Sequence, residues 1–407
     1  MPHIVFVAPH FLENTNRYVA ALARLPGLKL SVISADSAEK IPKELRAQVA
    51  GHYQVKDVGD GRQLAEAARA LSSLAPIDRL TGVLEQLQLP MAQARELADI
   101  PGMKVEIARR FREKDRMKEV LRAHGVKVAQ SALVFSEAEL RAFVAKVGFP
   151  IIVKPQAGLG ARLTVRIERD ADLRGVVPTH ANPLQAEQFV RAREFTCETV
   201  SIHGQTVWRS GTRYHPSVLE VLETPWVQYC ILLPRETGAP WSDFAGTNEA
   251  ALKALFGPAP RVTGTALTHM EWFLCDDGAM LVNEVGARPP GVQIMPLMNL
   301  AHDTDMISKW AELIAFDRFT PPVRAFAAGA AFFRGQGSGH RIVSVEGVEA
   351  AVAAAGDSLV DMRIPKVGMA RAASYEGEGW AHVKHATTEG AKQALLALVQ
   401  NVQIRYG

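Results

Sequence analysis

Residues Thr268–Gly291, THMEWFLCDDGAMLVNEVGARPPG, contain two apolar runs on either side of an Asp-Asp-Gly sequence. An Asp-Gly pair between two such runs predicts a β-hairpin, here with Asp277 and Gly278 in a two-residue turn. Counting outward from that turn places Glu271 opposite Glu284. Directly opposed side chains have Cβ atoms roughly 4.5–5.5 Å apart and share one face of the sheet. The pattern therefore predicts two neighbouring carboxylates.

Two carboxylates this close repel each other unless a proton or a cation lies between them. Hard oxygen ligands suit Mg²⁺, which at phosphoryl-transfer sites is held by one or two carboxylates together with substrate phosphates. Arg288 follows four residues after Glu284, at the expected end of the second strand, where its guanidinium can bind an anion. Together these residues indicate phosphoryl or acyl-phosphate chemistry. The alternative is a solvated hairpin that carries two surface glutamates.

The composition excludes several classes of protein. A chain of 407 residues is too long for one compact core, so more than one domain is expected. A formal net charge of +3 gives no argument for binding to nucleic acid or to a membrane surface. Cys197, Cys230 and Cys275 are far apart, which fits a reduced cytoplasmic protein better than a disulfide framework or a zinc site. No signal peptide or transmembrane helix is predicted.

The N-terminal part has the pattern of a parallel α/β domain. Within residues 4–34 a short apolar strand, a helix and a second strand follow one another. A further strand is predicted at Asp78–Leu84, with Glu85 at its carboxyl end, where ligands of open α/β sheets gather. Glu85 is therefore a candidate substrate contact, and the alternative is a charge that stabilises a helix N-terminus. Pro101-Gly102 marks the end of this predicted domain, residues 1–104.

Two lysines lie in different local contexts. Lys114 falls in a charged helical segment, Val105–His124, where the alternative is a solvated helix face. Lys154 lies in the predicted strand Ile151–Pro155, directly before the glycine loop Gln156–Gly160. The loop joins strand to strand, whereas a Walker A loop or a dinucleotide loop joins strand to helix. Such a loop can fold over phosphates with its N–H groups as donors, and the alternative is a plain hairpin turn.

The middle of the chain predicts an antiparallel sheet. The strand LQAEQFV, residues 184–190, can offer backbone N–H and C=O groups to an adenine edge, with Glu187 and Glu194 flanking it. Tyr214–Pro234, rich in Pro, Tyr and Trp, is predicted to be a long loop of the kind that covers a substrate. Pro321-Pro322 marks a second boundary, after which a small α+β domain is expected.

Taken in order, these motifs resemble the ATP-grasp superfamily, and in particular its carboxylate–amine ligases. The resemblance covers residues 4–316 and is most specific in GFPIIVKPQAGLG, AEQFVRAREF and HMEWF…LVNEVGARP. It implies an α/β chain with an N-terminal parallel α/β domain, an ATP-grasp fold of two α+β subdomains and a small C-terminal α+β domain. The implied boundaries are 1–104, 105–318, with a lid subdomain at about 125–187, and 319–407.

The resemblance also implies roles for individual residues. ATP would bind between the two subdomains, with Mg²⁺, or Mn²⁺ in its place, at Glu271 and Glu284. The implied nucleotide ligands are Lys114, Lys154, Gly158, Gly160, Glu187, Gln188, Phe189, Val190 and Glu194. Residues 187–190 correspond to the adenine hinge and Glu194 to the ribose ligand. Arg288 and Lys154 are the implied catalytic residues, and Glu85, Arg288 and Gly291 the candidate substrate contacts.

Two positions depart from the family pattern. Many members have Asn two residues after the second glutamate as a metal ligand, where this chain has Gly286, so one metal is expected to be held less firmly. Where relatives often have Arg-Pro-Gly-Gly, this chain has Pro290 at the third position. Proline has no N–H, so a substrate contact from that part of the turn is not expected.

The resemblance implies an ATP-dependent ligase that joins a small carboxylic acid or amino acid to an amine through an acyl phosphate, releasing ADP and phosphate. One alternative is a biotin-carboxylase-like or purine-pathway enzyme that uses bicarbonate; another is a catalytically silent nucleotide-binding module. Both glutamates, both lysines and Arg288 are retained, which favours an enzyme. The expected partners are the acid and the amine, without nucleic acid or membrane, and the family implies a homodimer.

Overall fold

The structure, a computed structural model, describes residues 1–155, 164–224, 227–258, 261–372 and 376–407, apart from the side chains of Leu222 and Arg261. Across these ranges the chain forms a parallel α/β region, a smaller antiparallel α+β region and a large antiparallel sheet with a C-terminal α+β part. The predicted fold class is confirmed. Among the described helices, none has both the length and the apolar character that crossing a membrane requires.

The N-terminal region is built on a parallel sheet that is buried on both faces. Its elements are β1 (His3–Val7), α1 (Glu13–Ala23), β2 (Lys29–Ser34), α2 (Lys43–Arg46), β3 (Gly51–Gln54), α3 (Gly61–Leu71), β4 (Arg79–Thr81) and α4 (Gln88–Leu97). The strand order is β3-β2-β1-β4. In β1, Ile4 and Phe6 pack in one core with α1, while Val5 and Val7 pack in another with α3 and α4. Burial on both faces explains the continuous apolar runs of these strands.

The fourth strand is shorter than predicted. β4 ends at Thr81, three residues before the predicted end at Leu84, and a 3-10 turn, Glu85–Leu87, leads directly into α4. Glu85 still lies beyond the carboxyl end of β4. It is thus placed at the edge of the sheet where α/β proteins bind their ligands.

A smaller sheet, which we call the lid sheet, follows the N-terminal region. The elements of this part are α5 (Val105–Arg112), α6 (Lys114–Ala123), β5 (Ser131–Val134), α7 (Glu137–Val147), β6 (Ile151–Pro155), β7 (Val165–Ile167) and β8 (Leu184–Gln188). The strands are antiparallel in the order β5-β8-β6-β7. Ser136 caps α7 by accepting the Glu139 N–H at 3.3 Å. The glycine loop between β6 and β7 lies outside the described residues.

The remaining elements build the large sheet and the helices that cover it. They are β9 (Ala192–Ile202), β10 (Gln205–His215), α8 (Val218–Glu223), β11 (Tyr229–Leu233), α9 (Trp241–Phe256), β12 (Ala266–Cys275), β13 (Met280–Gly286), α10 (Ile294–His302), α11 (Met306–Phe316), β14 (Ala327–Phe333), β15 (Ile342–Glu346), α12 (Val348–Ala355), β16 (Leu359–Arg363), β17 (Gly379–His385), α13 (Thr388–Asn401) and β18 (Gln403–Tyr406). The large sheet has the order β13-β12-β9-β10-β11-β14-β17-β16, and β15 pairs with β18. Strands from both sides of the predicted boundary at 318/319 share this sheet, and the division into domains stays a prediction.

The segment Tyr214–Pro234 is not a long loop, and that prediction is wrong. β10 continues to His215, α8 begins behind its N-cap Ser217, and β11 joins the large sheet between β10 and β14. The two tyrosines of this segment, Tyr214 and Tyr229, belong to the core instead. Tyr229 is fully buried and stacks on Phe332 with ring centroids 4.9 Å apart.

Candidate active site

One cavity of about 580 Å³ lies between the lid sheet, the large sheet and the N-terminal region. Every described residue that the sequence singled out lines it: Glu85, Lys114, Lys154, Glu187, Gln188, Phe189, Val190, Glu194, Glu271, Glu284, Arg288 and Gly291. Gly158 and Gly160 lie outside the described residues. The cavity is of the size at which small ligands and cofactors are bound. Residues that are far apart in the sequence therefore converge at one site.

The two glutamates of the hairpin face each other as predicted, although the turn differs. Cys275 pairs with Ala279, so the loop has three residues and ends with Gly278 at φ +82°. The two-residue turn is therefore wrong, and pairing near the loop is shifted by one residue. A β-bulge at Asn283 takes the shift back, so that Glu271 lies opposite Glu284. Two deviations from the simple register thus cancel.

The carboxylates of Glu271 and Glu284 both remain partly open to the cavity. The Glu271 carboxylate accepts a hydrogen bond from Asn283 Nδ2 at 3.3 Å, and Glu284 Oε1 lies 2.6 Å from Lys114 Nζ. Burial opposes ionisation of Glu284, but Lys114 and Lys154 outweigh it and lower the pKa to about 2. Glu284 is therefore a carboxylate at neutral pH.

The protein provides too few oxygen ligands to bind Mg²⁺ by itself at Glu271 and Glu284, so a bound nucleotide has to provide others. In the described ranges, no group of three or more His, Cys, Asp or Glu side chains is arranged to hold a metal ion. Two opposed carboxylates on a cavity wall match the way Mg²⁺ binds through one or two carboxylates, with water and phosphate oxygens as the other ligands. The protein side of the site is thus compatible with a metal that arrives together with a nucleotide.

Lys114 is buried and Lys154 is largely buried, and a third lysine joins them. Lys114, the first residue of α6, is 6% exposed, which excludes the solvated helix face. Lys154 Nζ lies 3.0 Å from Glu187 Oε2. Lys118, one helical turn after Lys114, is fully buried with Nζ 2.6 Å from Glu187 Oε1. Nothing in the sequence distinguishes Lys118 from its neighbours, because its helix is charged throughout.

Glu187 is the centre of this lysine cluster. Burial opposes its ionisation, but the two ammonium groups outweigh burial and lower the pKa of Glu187 to about 2. Two N–H groups of the backbone that follows Glu187 already make hydrogen bonds within the protein. Gln188 N–H donates to the Gln130 carbonyl, and Phe189 N–H donates to the Pro150 carbonyl. The side chain of Glu187 therefore holds Lys154 in place, and the adenine hinge at residues 187–190 stays a prediction.

Glu194 connects the cavity to α8. Its Oε2 accepts the N–H of Val218, the first residue of α8, at 2.9 Å. Burial and the nearby Glu271 carboxylate raise the pKa of Glu194 to about 8. Arg166 of the lid sheet lies 3.1 Å from Glu223 on the same helix. These contacts join both sides of the cavity through α8, where a loop was predicted.

Arg288 lies just past β13 and is anchored by the N-terminal region. Its Nε lies 2.5 Å from Glu85 Oε2, and its Nη1 donates to the Pro289 carbonyl at 2.9 Å. Arg112 approaches the other Glu85 oxygen at 3.7 Å. Burial opposes the charge of Arg288, but Glu85 outweighs it and the pKa of Arg288 is raised. A surface ion pair is excluded, because this pair lines the cavity.

His269 is a site residue that sequence reasoning missed. Its Nδ1 lies 2.8 Å from Glu198 Oε1, and its Nε2 lies 3.7 Å from Glu271 Oε1. Burial favours neutral imidazole, but the two carboxylates outweigh it and raise the pKa of His269 to about 9. The available signal was its position two residues before Glu271 on the same strand, hence on the same face.

The lid sheet and the large sheet, with the cavity between them, give the chain the ATP-grasp fold that the sequence motifs implied. The structure matches the crystal structure of L-amino acid ligase from Bacillus licheniformis with a TM-score of 0.76 and 20% identity, covering 100% of this chain and 99% of that chain. The resemblance found in the sequence motifs is confirmed.

Sequence comparison gives two relatives that are also ligases. The chain is 24% identical over 279 residues to the L-arginine-specific L-amino acid ligase of Bacillus subtilis, with 66% of this chain and 65% of the relative covered. It is 31% identical over 135 residues to the D-alanine–D-alanine ligase of Chromohalobacter salexigens, with 31% and 38% covered. The match thus spans less than two thirds of the length of these relatives. No protein-family model matches the chain.

Proposed function

We propose that the chain is an ATP-dependent ligase that joins a carboxylic acid to an amine and releases ADP and phosphate. The observation that carries the proposal is the convergence of Glu271, Glu284, Lys114, Lys154 and Arg288 on one cavity. Opposed carboxylates, two ammonium groups and a guanidinium are what phosphoryl transfer requires, because its catalysis consists mainly of positioning and charge stabilisation.

The nucleotide occupies the space between the lid sheet and the large sheet. Lys154 lies near the end of β6, directly before the glycine loop, and pairs with Glu187. The Lys154 ammonium binds phosphate oxygens. Lys114 reaches the same phosphates from α6. Glu194 binds the ribose, and residues 187–190 border the adenine. The location of all these residues on one cavity supports this arrangement.

Glu271 and Glu284 would hold Mg²⁺, or Mn²⁺, together with the nucleotide phosphates. When bound, the ion would supply positive charge that offsets the phosphate charge. Lys114, which pairs with Glu284 in the ligand-free chain, would then be available to the nucleotide phosphates. The chain has Gly286 two residues after Glu284, so the protein supplies carboxylate oxygens and no amide at this point.

The reaction has two steps. An oxygen of the substrate carboxylate attacks the γ-phosphorus of ATP; this O–P bond forms as the bond to the β–γ bridging oxygen breaks, and ADP leaves. The amine nitrogen then attacks the acyl carbon, phosphate leaves with the electron pair of the C–O bond, and the nitrogen loses a proton. Arg288 stabilises the negative charge on the acyl phosphate and on the tetrahedral intermediate through its planar set of donors.

Small acids and amino acids are the proposed substrates. The relatives act, by their names, on L-amino acids, on L-arginine and on D-alanine. A cavity of about 580 Å³ can hold a nucleotide with a small acid but leaves little space for a polymer. We further propose a cytoplasmic homodimer, which light scattering of the purified protein would test.

The test is a screen of ADP release across a matrix of carboxylic acids and amines, with product masses measured for each hit. With the correct acid and MgATP but no amine, hydroxylamine should trap the acyl phosphate as a hydroxamate. ADP formation that depends on bicarbonate and gives no hydroxamate would instead support the carboxylating alternative. Nucleotide binding without ADP release in any combination would support the silent binding module.

A further inference from the structure

Glu85 and Arg288 come from different parts of the fold and meet at the cavity. Glu85 begins the turn before α4 in the N-terminal region, whereas Arg288 follows the hairpin of the large sheet. Their Oε2 and Nε atoms lie 2.5 Å apart, and Glu85 is 9% exposed. Because Nη1 also donates to the Pro289 carbonyl, two protein oxygens fix the plane of the guanidinium.

Gly286 provides the space for the Glu85 carboxylate. A Cβ atom at this position would lie 3.3 Å from Glu85 Oε2 and 3.6 Å from Arg288 Cγ. Such a contact is tight, and the ion-paired carboxylate would have to shift to relieve it. The space at Gly286 and the ion pair between Glu85 and Arg288 therefore depend on each other. The space that a side chain at position 286 would fill is taken by the Glu85 carboxylate of the N-terminal region.

We propose that Glu85 is the positioning residue that aims Arg288 at the reacting groups, and that Gly286 is the opening that admits its carboxylate. The inference rests on the proposed function. Anchoring Nε in advance means that Arg288 loses little freedom when negative charge develops near it. The catalytic arginine is then complete only when the N-terminal region is docked against the hairpin.

Glu85→Gln tests the carboxylate while keeping the shape of the side chain. We expect turnover at saturating substrates to fall roughly tenfold to a hundredfold, because a misaimed catalytic group costs rate more than affinity. The dissociation constant of MgATP, measured by calorimetry, should change by less than about twofold. The matched control is Asp317→Asn, which breaks another ion pair of the N-terminal region, with Arg79 at 2.6 Å, outside the cavity. It should lower the melting temperature and leave turnover unchanged.

Gly286→Ala tests the opening. The added Cβ should push Glu85 away from Arg288 and lower turnover to a similar extent, but it should have little further effect in the Glu85→Gln background, because the ion pair that it disturbs is already lost there. Gly246→Ala is the control, since a Cβ at Gly246 in α9 meets no atom within 4 Å. Multiplicative effects of Glu85→Gln and Gly286→Ala would overturn the coupling.

A readout that does not need turnover separates this inference from the proposed function. The Arg288 Nε–H resonance, assigned by its loss in Arg288→Lys, should be protected from solvent exchange in the parent and should lose protection in Glu85→Gln. An unchanged resonance would overturn the positioning role, even if turnover fell, because Glu85 would then act by itself. If the parent releases no ADP with any acid and amine, the proposed function fails, while the resonance still decides whether Glu85 positions Arg288.

Discussion

Lys114 and Glu284 form an ion pair with 2.6 Å between Nζ and Oε1, which joins the first residue of α6 to the end of the hairpin. A lysine at a helix N-terminus is unfavourable, because the helix dipole places partial positive charge there. The pair therefore compensates for a position that helix stability alone would not select. Both side chains line the cavity, so the ammonium is available to an anion that binds there.

Glu284→Gln separates the metal role of this pair from its structural role. We expect turnover to fall by roughly 10²-fold or more, as for other lost electrostatic contacts to a transition state. Lys114→Met is the matched variant, because it breaks the same pair but keeps the carboxylate. Titration with Mg²⁺ should show that a higher Mg²⁺ concentration is needed for half-maximal turnover only in Glu284→Gln. Near-normal turnover with an unchanged Mg²⁺ dependence in that variant would remove Glu284 from the metal site.

The lysine pair on Glu187 offers a second matched comparison. Lys154 and Lys118 both contact this carboxylate, but of the two only Lys154 lines the cavity. Lys154→Met should weaken MgATP binding by roughly tenfold or more, the value of a lost charge-assisted hydrogen bond. Lys118→Met should instead lower stability, by up to about 3 kcal/mol, because a buried pair loses a partner. Calorimetry and thermal unfolding of both variants measure this; equal MgATP affinities in the Lys154 variant and the parent would contradict it.

The sequence was sufficient for residues whose position follows from local rules. The apolar strands and the pairing of Glu271 with Glu284 depend on periodicity and on turn residues. Even there, the hairpin reached the predicted pair through a three-residue loop and a compensating bulge at Asn283. The turn type and the position of a bulge depend on how neighbouring strands twist against each other. The sequence of β13 alone does not determine that twist.

The missed site residues depend on contacts between distant parts of the chain. Lys118 lies in a charged helix and becomes a buried partner only because Glu187, 69 positions later, packs against it. The pKa of His269 is raised because Glu198 lies directly opposite it on β9, the neighbouring strand of the large sheet. Helix and strand periodicity do not reveal which remote side chain will compensate a buried charge. Such networks became visible only in the folded chain.

His269 should make the stability of the ligand-free protein depend on pH. Its pKa is raised to about 9 from the ordinary value of 6.5, which corresponds to about 3 kcal/mol of folding free energy. This contribution is fully present below pH 6.5, because both the folded and the unfolded chain are then protonated. It is lost as the pH rises through 9. Denaturant unfolding in a chelator at pH 7.5 and pH 9.5 should therefore show a steeper loss of stability in the parent than in His269→Gln.

His382 provides the control for this pH experiment. Burial lowers its pKa to about 4, so its effect on stability appears as the pH falls below 6.5 and not as the pH rises. The difference in stability between the parent and His382→Gln should stay constant between pH 7.5 and pH 9.5. A parent and His269→Gln that lose stability in parallel over this range would show that the imidazole does not carry the charge.

Arg288→Lys distinguishes a catalytic guanidinium from a charge that only holds two regions together. Lysine keeps the positive charge, and its ammonium can still approach Glu85, but it is a point charge without the planar fork that binds an acyl phosphate through two N–H donors. Turnover at saturating MgATP should drop by roughly 10²-fold or more, comparable to the loss of one oxyanion donor. MgATP affinity should be nearly unchanged, because Lys114 and Lys154 provide the phosphate contacts.

If Arg288 served only the ion pair with Glu85, turnover would be unaltered and the melting temperature would shift only slightly. Steady-state kinetics with the melting temperature measured on the same samples decides between the two, and unaltered turnover would exclude Arg288 from catalysis.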